Sequence, residues 1–155
     1  MVTGWKVLNG ELLYDGTGNG EKLVAPDFCQ PTTPNYAVDV RMRIVAACCH
    51  FGIMVRSGAS TTGETGYELS IYTTTFQNVF IVSHGGQGGA TGSHSFDNNF
   101  HVYRAEVKDN IINFVIDRAK VLSATDNTFL SPGEVSICCT DTMELEITSF
   151  KITAL

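Results

Sequence analysis

The chain has 155 residues, a mass of 16.8 kDa and a formal net charge of −6, a length that suits one domain over residues 1–155 rather than two marginal ones. Hydrophobic residues make up 43% and charged residues only 17%, and the balance is taken up by 15 Gly and 17 Thr, a composition of strands and turns that excludes disorder and a helical bundle. A pI near 5.0 excludes a nucleic-acid partner, which needs a basic patch, and no apolar run approaches the roughly 18–20 residues of membrane insertion.

Met1-Val2-Thr3-Gly4-Trp5 lacks the basic and apolar regions of a signal peptide. Lys6-Val7-Leu8 and Glu11-Leu12-Leu13-Tyr14, joined by Asn9-Gly10, read as a hairpin. Thr17 to Thr33, rich in Gly, Pro and polar residues, reads as a loop. Tyr36-Ala37-Val38-Asp39-Val40-Arg41-Met42-Arg43-Ile44 alternates strictly, with apolar residues on one face and Asp39, Arg41 and Arg43 on the other. The same period recurs at 51–56, 67–72 and 78–84, which leaves Arg56, Glu68, Tyr72 and His84 at outward positions or strand ends. Gly85 to Asn99, with its Gly-Gly-Gln-Gly-Gly run, reads as a long loop, a binding rim or a disordered stretch. The segments 101–108 and 111–116 flank a turn at Asp109-Asn110, and 135–139 and 142–155 complete the set. Ten to twelve short strands without helical periodicity predict an all-β antiparallel sandwich or barrel.

The order of motifs resembles the concanavalin A-like jelly rolls, a superfamily that includes laminin-G-like modules, levan-binding carbohydrate modules and sugar-hydrolase-related domains. The resemblance rests on Phe51-Gly52-Ile53-Met54-Val55-Arg56 followed by Gly66-Tyr67-Glu68-Leu69-Ser70-Ile71. The opening Gly4-Trp5 hairpin, the block from Phe100 to Asp117 and the closing Ser149-Phe150-Lys151-Ile152 agree with it. Two positions depart from the pattern: Arg118 stands where the family has Gly, and Phe100 where it has Trp. The resemblance implies two packed sheets with a concave, ligand-holding outer face. It also implies ligand contacts for Arg56 and Glu68, the residues that match pocket positions of sugar-binding relatives. Asp39, Arg41, Arg43, Tyr72 and His84 are expected on that face too, since Arg and carboxylates supply bidentate hydrogen bonds and an aromatic ring stacks on a sugar. The competing reading is a ladder of solvated cross-strand ion pairs.

Glu144-Leu145-Glu146 has the i, i+2 spacing of paired glycosidase carboxylates. Strand alternation already explains it, no nucleophile elbow is present, and no catalysis is expected. No cofactor is expected either. Calcium is often a structural ion in this superfamily, and Asp15 to Gly20 and Asp97-Asn98-Asn99 offer oxygen ligands, but their composition is that of ordinary turns. The cysteines are Cys29 and the vicinal pairs Cys48-Cys49 and Cys138-Cys139. Adjacent strand residues face opposite sides, so one of each pair is expected inside and one outside. Buried free thiols, a disulfide between the pairs, or a zinc site that also uses His50 are the alternatives, in that order. Two functions follow as expectations. One is a non-catalytic carbohydrate-binding module with a glycan partner. The other is a structural or protein-interaction module, such as an assembly subunit or an appended sensor domain, whose partner is a protein or further copies of this chain.

Overall fold

The computed structural model describes residues 4–17, 22–46, 50–61, 63–73, 77–140 and 142–155, with the side chain of Ser60 left aside. Thirteen strands are present among them: β1 (Trp5–Leu8), β2 (Glu11–Asp15), β3 (Lys22–Val24), β4 (Tyr36–Ala46), β5 (His50–Ser60), β6 (Gly63–Tyr72), β7 (Asn78–His84), β8 (Ala90–Ser93), β9 (His101–Lys108), β10 (Ile111–Ile116), β11 (Ala119–Thr125), β12 (Glu134–Cys139) and β13 (Glu144–Ala154). They form a seven-stranded sheet in the order β1-β2-β13-β4-β9-β10-β11 and a six-stranded sheet in the order β3-β12-β5-β6-β7-β8, every pair antiparallel. The two-residue alternation decides what lies between the sheets. Val38, Val40, Met42 and Ile44 of β4 meet Phe51, Ile53 and Val55 of β5 and Leu69 and Ile71 of β6, all buried in one cluster. Trp5 stacks on Tyr14 at one end, with ring centroids 4.9 Å apart.

Three strands were not expected from the sequence. β3 and β8 lie inside the segments read as loops, and β11 follows a turn that lacks glycine. Asp117 and Arg118 both take left-handed backbone angles (φ 48° and 70°), as a two-residue turn of this hand requires, and Ile116 pairs directly with Ala119 across it. The Asp117 side chain accepts from the Val102 amide at 2.9 Å and so holds the turn.

The Gly-rich segment is neither an open rim nor loose. Asp126, 4% exposed, points its carboxylate into it and accepts from the Gln87 amide (2.9 Å), the Gly88 amide (2.7 Å) and the Ser83 hydroxyl (2.9 Å). Burial works to raise the Asp126 pKa, but these bonds and those from Thr128 win and hold the carboxyl well below its ordinary value. Glycine is needed because the backbone comes so close: a Cβ at Gly86 would lie 2.4 Å from the carboxylate, and one at Gly88 would lie 2.7 Å from the Thr125 carbonyl. β8 then pairs with β7 at the edge of the six-stranded sheet.

Candidate functional site

The seven side chains singled out from the sequence fall into three places, not on the single face expected of them. Asp39, Arg41 and Arg43 stand on the outward face of β4, in the seven-stranded sheet. Glu68 and Tyr72 of β6 and His84 of β7 lie on the six-stranded sheet, on the other side of the molecule. Arg56 belongs to neither face. Strand parity assigns each residue to one side of its own sheet but carries no information about which sheet the strand enters, and that is where the single-face expectation failed.

Arg56 is 3% exposed, with a left-handed backbone (φ 49°) in an irregular stretch of β5 between Val55 and Gly58. Its guanidinium donates to the carbonyls of Pro34 (2.7 and 3.1 Å), Asp109 (2.7 Å) and Phe129 (2.9 Å) and to the Asn35 side-chain oxygen (3.4 Å). A guanidinium has five N–H donors, and all five are used inside the chain. Its amide donates to the Tyr36 hydroxyl at 2.7 Å, and that hydroxyl donates to the Pro132 carbonyl at 2.9 Å. Burial pushes the Tyr36 pKa up to about 12. Gly66 and Gly133 press on the irregularity from either side: a Cβ on them would lie 2.6 and 2.4 Å from the Arg56 main chain. The Arg of the family-like motif therefore serves here as a clasp between loops, with no donor left for a ligand.

On the seven-stranded sheet, Arg104 of β9 is held between Asp39 (2.8 Å) and Glu106 (3.2 Å), and Glu106 in turn accepts from Asn113 of β10 (3.2 Å). Asp39, Arg104 and Glu106 border a hollow of about 830 Å³ that Val102, Asp117 and Arg118 also line. Arg41 and Arg43 stand 4.4 and 5.2 Å from the Phe100 ring centroid. Arg43 donates to Glu146 at 2.7 Å, so one member of the Glu144/Glu146 pair is taken up by a cross-strand ion pair.

On the six-stranded sheet the inward residues of β5, β6 and β12 alternate with an outward set that the register brings together. His50 pairs with Tyr72, Gly52 with Ser70 and with Cys138, and Met54 with Glu68. Glu68 hydrogen-bonds two imidazoles, His50 Nε2 through Oε1 and His84 Nε2 through Oε2, the latter at 2.9 Å. Burial works to raise the Glu68 pKa, but the bonds to His50 and then His84 outweigh it and keep the carboxyl below its ordinary value. Beside it runs a row of rings across three strands: His50 to Tyr72 at 4.9 Å, and Tyr72 to Phe80 at 5.2 Å edge-on. Tyr72 is 41% exposed and presents its ring to solvent. Met54, Ser70 and Ser136 point away from the sandwich interior yet are 1% exposed or less, closed over by their neighbours.

Cys138 lies on this outward face and Cys139 in the core, as alternation predicts, and both carry free thiols, as does exposed Cys29. Burial, then the charge of Glu68, pushes the Cys138 pKa up to about 12. Cys48 and Cys49 lie outside the described residues, as does part of the Asp15–Gly20 turn. The described part of that turn is closed by Thr17, which donates to Asp15 at 2.6 Å, and Asp97 is engaged by Asn99 and His101 at 2.8 and 2.7 Å. Sequence reasoning missed that His50, which hydrogen-bonds Glu68, and Cys138, whose thiol lies nearby, gather around this carboxylate. Their outward parity was legible, but only the adjacency of β12, β5 and β6 joins them.

No family model and no curated protein matches this chain. Solved structures do. The carbohydrate-binding module CBM66 from Bacillus subtilis superposes with a TM-score of 0.68 at 14% identity, over 99% of this chain and 93% of that one. The galectin LEC-6 of Caenorhabditis elegans superposes with a TM-score of 0.63 at 11% identity, over 96% and 99%. A beta-1,3-glucanase from Mycobacterium marinum superposes with a TM-score of 0.64 at 13% identity, over 94% and 75%. Binding modules and an enzyme thus share this architecture. With its two antiparallel sheets in this strand order, the chain has the concanavalin A-like jelly-roll fold.

Proposed function

We propose that the protein is a non-catalytic carbohydrate-binding module whose glycan lies on the outward face of the six-stranded sheet, over Glu68, Tyr72 and His84. The observation that carries this reading is the aromatic row His50–Tyr72–Phe80 running beside a carboxylate that two imidazoles hold in place. A sugar ring presents an apolar face and a rim of hydroxyls. Tyr72 supplies the exposed ring for the first, and Glu68 with His84 supplies fixed acceptors and donors for the second. The hollow of the opposite sheet is the weaker candidate, because none of the described residues that border it is aromatic. The non-catalytic half of the reading is supported by Arg43, which holds Glu146 of the one i, i+2 glutamate pair in an ion pair. The binding modules among the structural neighbours favour it as well.

A glycan array followed by titration calorimetry tests the proposal. The wild-type chain is expected to bind a defined set of glycans saturably. Tyr72→Ala, which removes the stacking ring, should weaken that binding by about tenfold or more, while Arg104→Ala leaves it unchanged. Loss of binding in Arg104→Ala with retention in Tyr72→Ala would move the site to the opposite sheet. No binding to any glycan by the folded wild-type chain would overturn the reading in favour of a protein-interaction module.

A further inference from the structure

His50, Glu68 and Cys138 each bring a potential ligand atom to one place, all three atoms lying within 4.8 Å of one another. They come from three adjacent strands, β5, β6 and β12, and the backbone leaves room between them at one position. A Cβ at Gly52 would stand 2.9 Å from Glu68 Oε1 and 3.0 Å from Cys138 Sγ, so any other residue there would wedge the carboxylate and the thiol apart. The second carboxylate oxygen of Glu68 is held by His84 Nε2 at 2.9 Å, the arrangement by which an outer partner orients a metal-ligating carboxylate. From these contacts we infer that His50, Glu68 and Cys138 form a Zn²⁺ site on the outward face of the six-stranded sheet.

The donor set selects the ion. One imidazole nitrogen, one carboxylate oxygen and one sulfur suit a borderline-soft cation and not calcium or magnesium, which take oxygen ligands. Charge also balances, since a thiolate and a carboxylate neutralise the dication. On binding, the Cys138 S–H bond gives way to an S–Zn bond and its proton leaves to solvent. His50 ligates through a deprotonated nitrogen, its remaining proton sitting on the other ring nitrogen. Glu68 exchanges its contact with His50 for the ion and keeps His84. Three protein ligands leave a fourth position of a tetrahedral ion free for water or another small donor. Among the described residues, the titratable groups around the cluster include His84 on β7, Tyr72 on β6, Lys22 on β3 and Glu64 on β6. Lys22 is itself paired to Glu64 and Glu134 at 3.0 and 3.1 Å, so its positive charge is offset before it reaches the ion. The inference does not depend on glycan binding.

The test uses the full chain, stripped with a chelator and titrated with Zn²⁺ against a chromophoric competitor, with Co²⁺ as a spectroscopic stand-in. The Co²⁺ form should show a thiolate-to-cobalt charge-transfer band, and Zn²⁺ should raise the melting temperature of the wild-type chain. Cys138→Ser should abolish the band and weaken Zn²⁺ binding at least 100-fold, His50→Gln should weaken it strongly, and His84→Gln should weaken it about tenfold through Glu68. Cys29→Ser should change nothing. Melting of the metal-free variants shows that they are folded, because Cys138→Ser is nearly isosteric and the position is half-buried. A Co²⁺ spectrum without thiolate character, or Zn²⁺ binding equal in wild type and Cys138→Ser, would overturn the site. The Tyr72→Ala array result is read separately, so either proposal can fail alone.

Discussion

Five hydrogen bonds leave one side chain, Arg56, and end on four different residues from three separate loops. Such a group is worth more to the fold than an exposed ion pair, because removing it leaves three half-buried carbonyl contacts unmade, at about 1 kcal/mol or more each. Lysine cannot replace it, since a single ammonium has three donors and no planar fork. Arg56→Lys is therefore expected to lower unfolding stability by about 3 kcal/mol in urea titrations, with far-UV circular dichroism unchanged below the transition. A loss under 1 kcal/mol would show that water replaces the clasp. The residue motif around Arg56 was legible in the sequence. Its role was not, because an Arg at the end of an alternating strand looks the same whether it meets a ligand or the chain's own carbonyls.

The edge strand β8 depends on the segment before it. Ala90-Thr91-Gly92-Ser93 has no apolar alternation, so neither its sequence nor its intrinsic propensity announces a strand. It forms because β7 offers a free edge and Asp126 fixes the turn that leads into it. Gly88→Ala places a Cβ 2.7 Å from the Thr125 carbonyl and 2.8 Å from Asp126 Cβ, both parts of the chain that cannot swing away. The expected outcome is a loss of about 2 kcal/mol, the range of overpacked positions. Hydrogen exchange should speed up first at the amides of β8 and the 85–89 turn while β5 and β6 stay protected. Uniform exchange across both sheets would contradict the local origin of the effect. β3, three residues long at the edge of its sheet, was missed for the same reason as β8, and β11 because the turn before it carries Asp117 and Arg118 in place of glycine.

At the scale of the whole molecule the pH dependence of stability joins two ends of the sandwich. Asp126 has a folded pKa below its unfolded value of about 3.9, so its contribution is present above that pH and is lost as pH falls through the folded value. His101 has the opposite sign. Its hydrogen bonds to Asp117 (2.5 Å) and Asp97 (2.7 Å) raise its pKa, so its contribution is full below about pH 6.5 and fades as pH rises through the raised value. The melting temperature should therefore drop below about pH 4 and decline gently above about pH 6.5. Asp126→Asn should lower it at neutral pH and flatten the acid limb, and His101→Gln should flatten the upper limb and, by releasing Asp97 and Asp117, soften the acid one as well. A curve unchanged in shape by either substitution would place the titrating groups elsewhere.

Low charge content, a two-residue hydrophobic period in most segments and turn residues between them determined by themselves that this chain is an all-β sandwich or barrel, and the order of its motifs pointed to the jelly-roll sandwich. Parity along each strand is a local property, so the inward faces and the outward positions of Glu68, Tyr72 and Cys138 were all readable. Strand order is not local. Only the tertiary structure decided that β4 lies in one sheet and β5, β6 and β12 in the other. It thereby parted Asp39, Arg41 and Arg43 from Glu68, Tyr72 and His84, and set His50 and Cys138 beside Glu68. The physical reason is that side-chain alternation repeats over about 7 Å along one strand. The choice of neighbouring strand, in contrast, is made by hydrogen-bond pairing between segments far apart in the chain, such as Gly52 and Cys138, 86 residues apart.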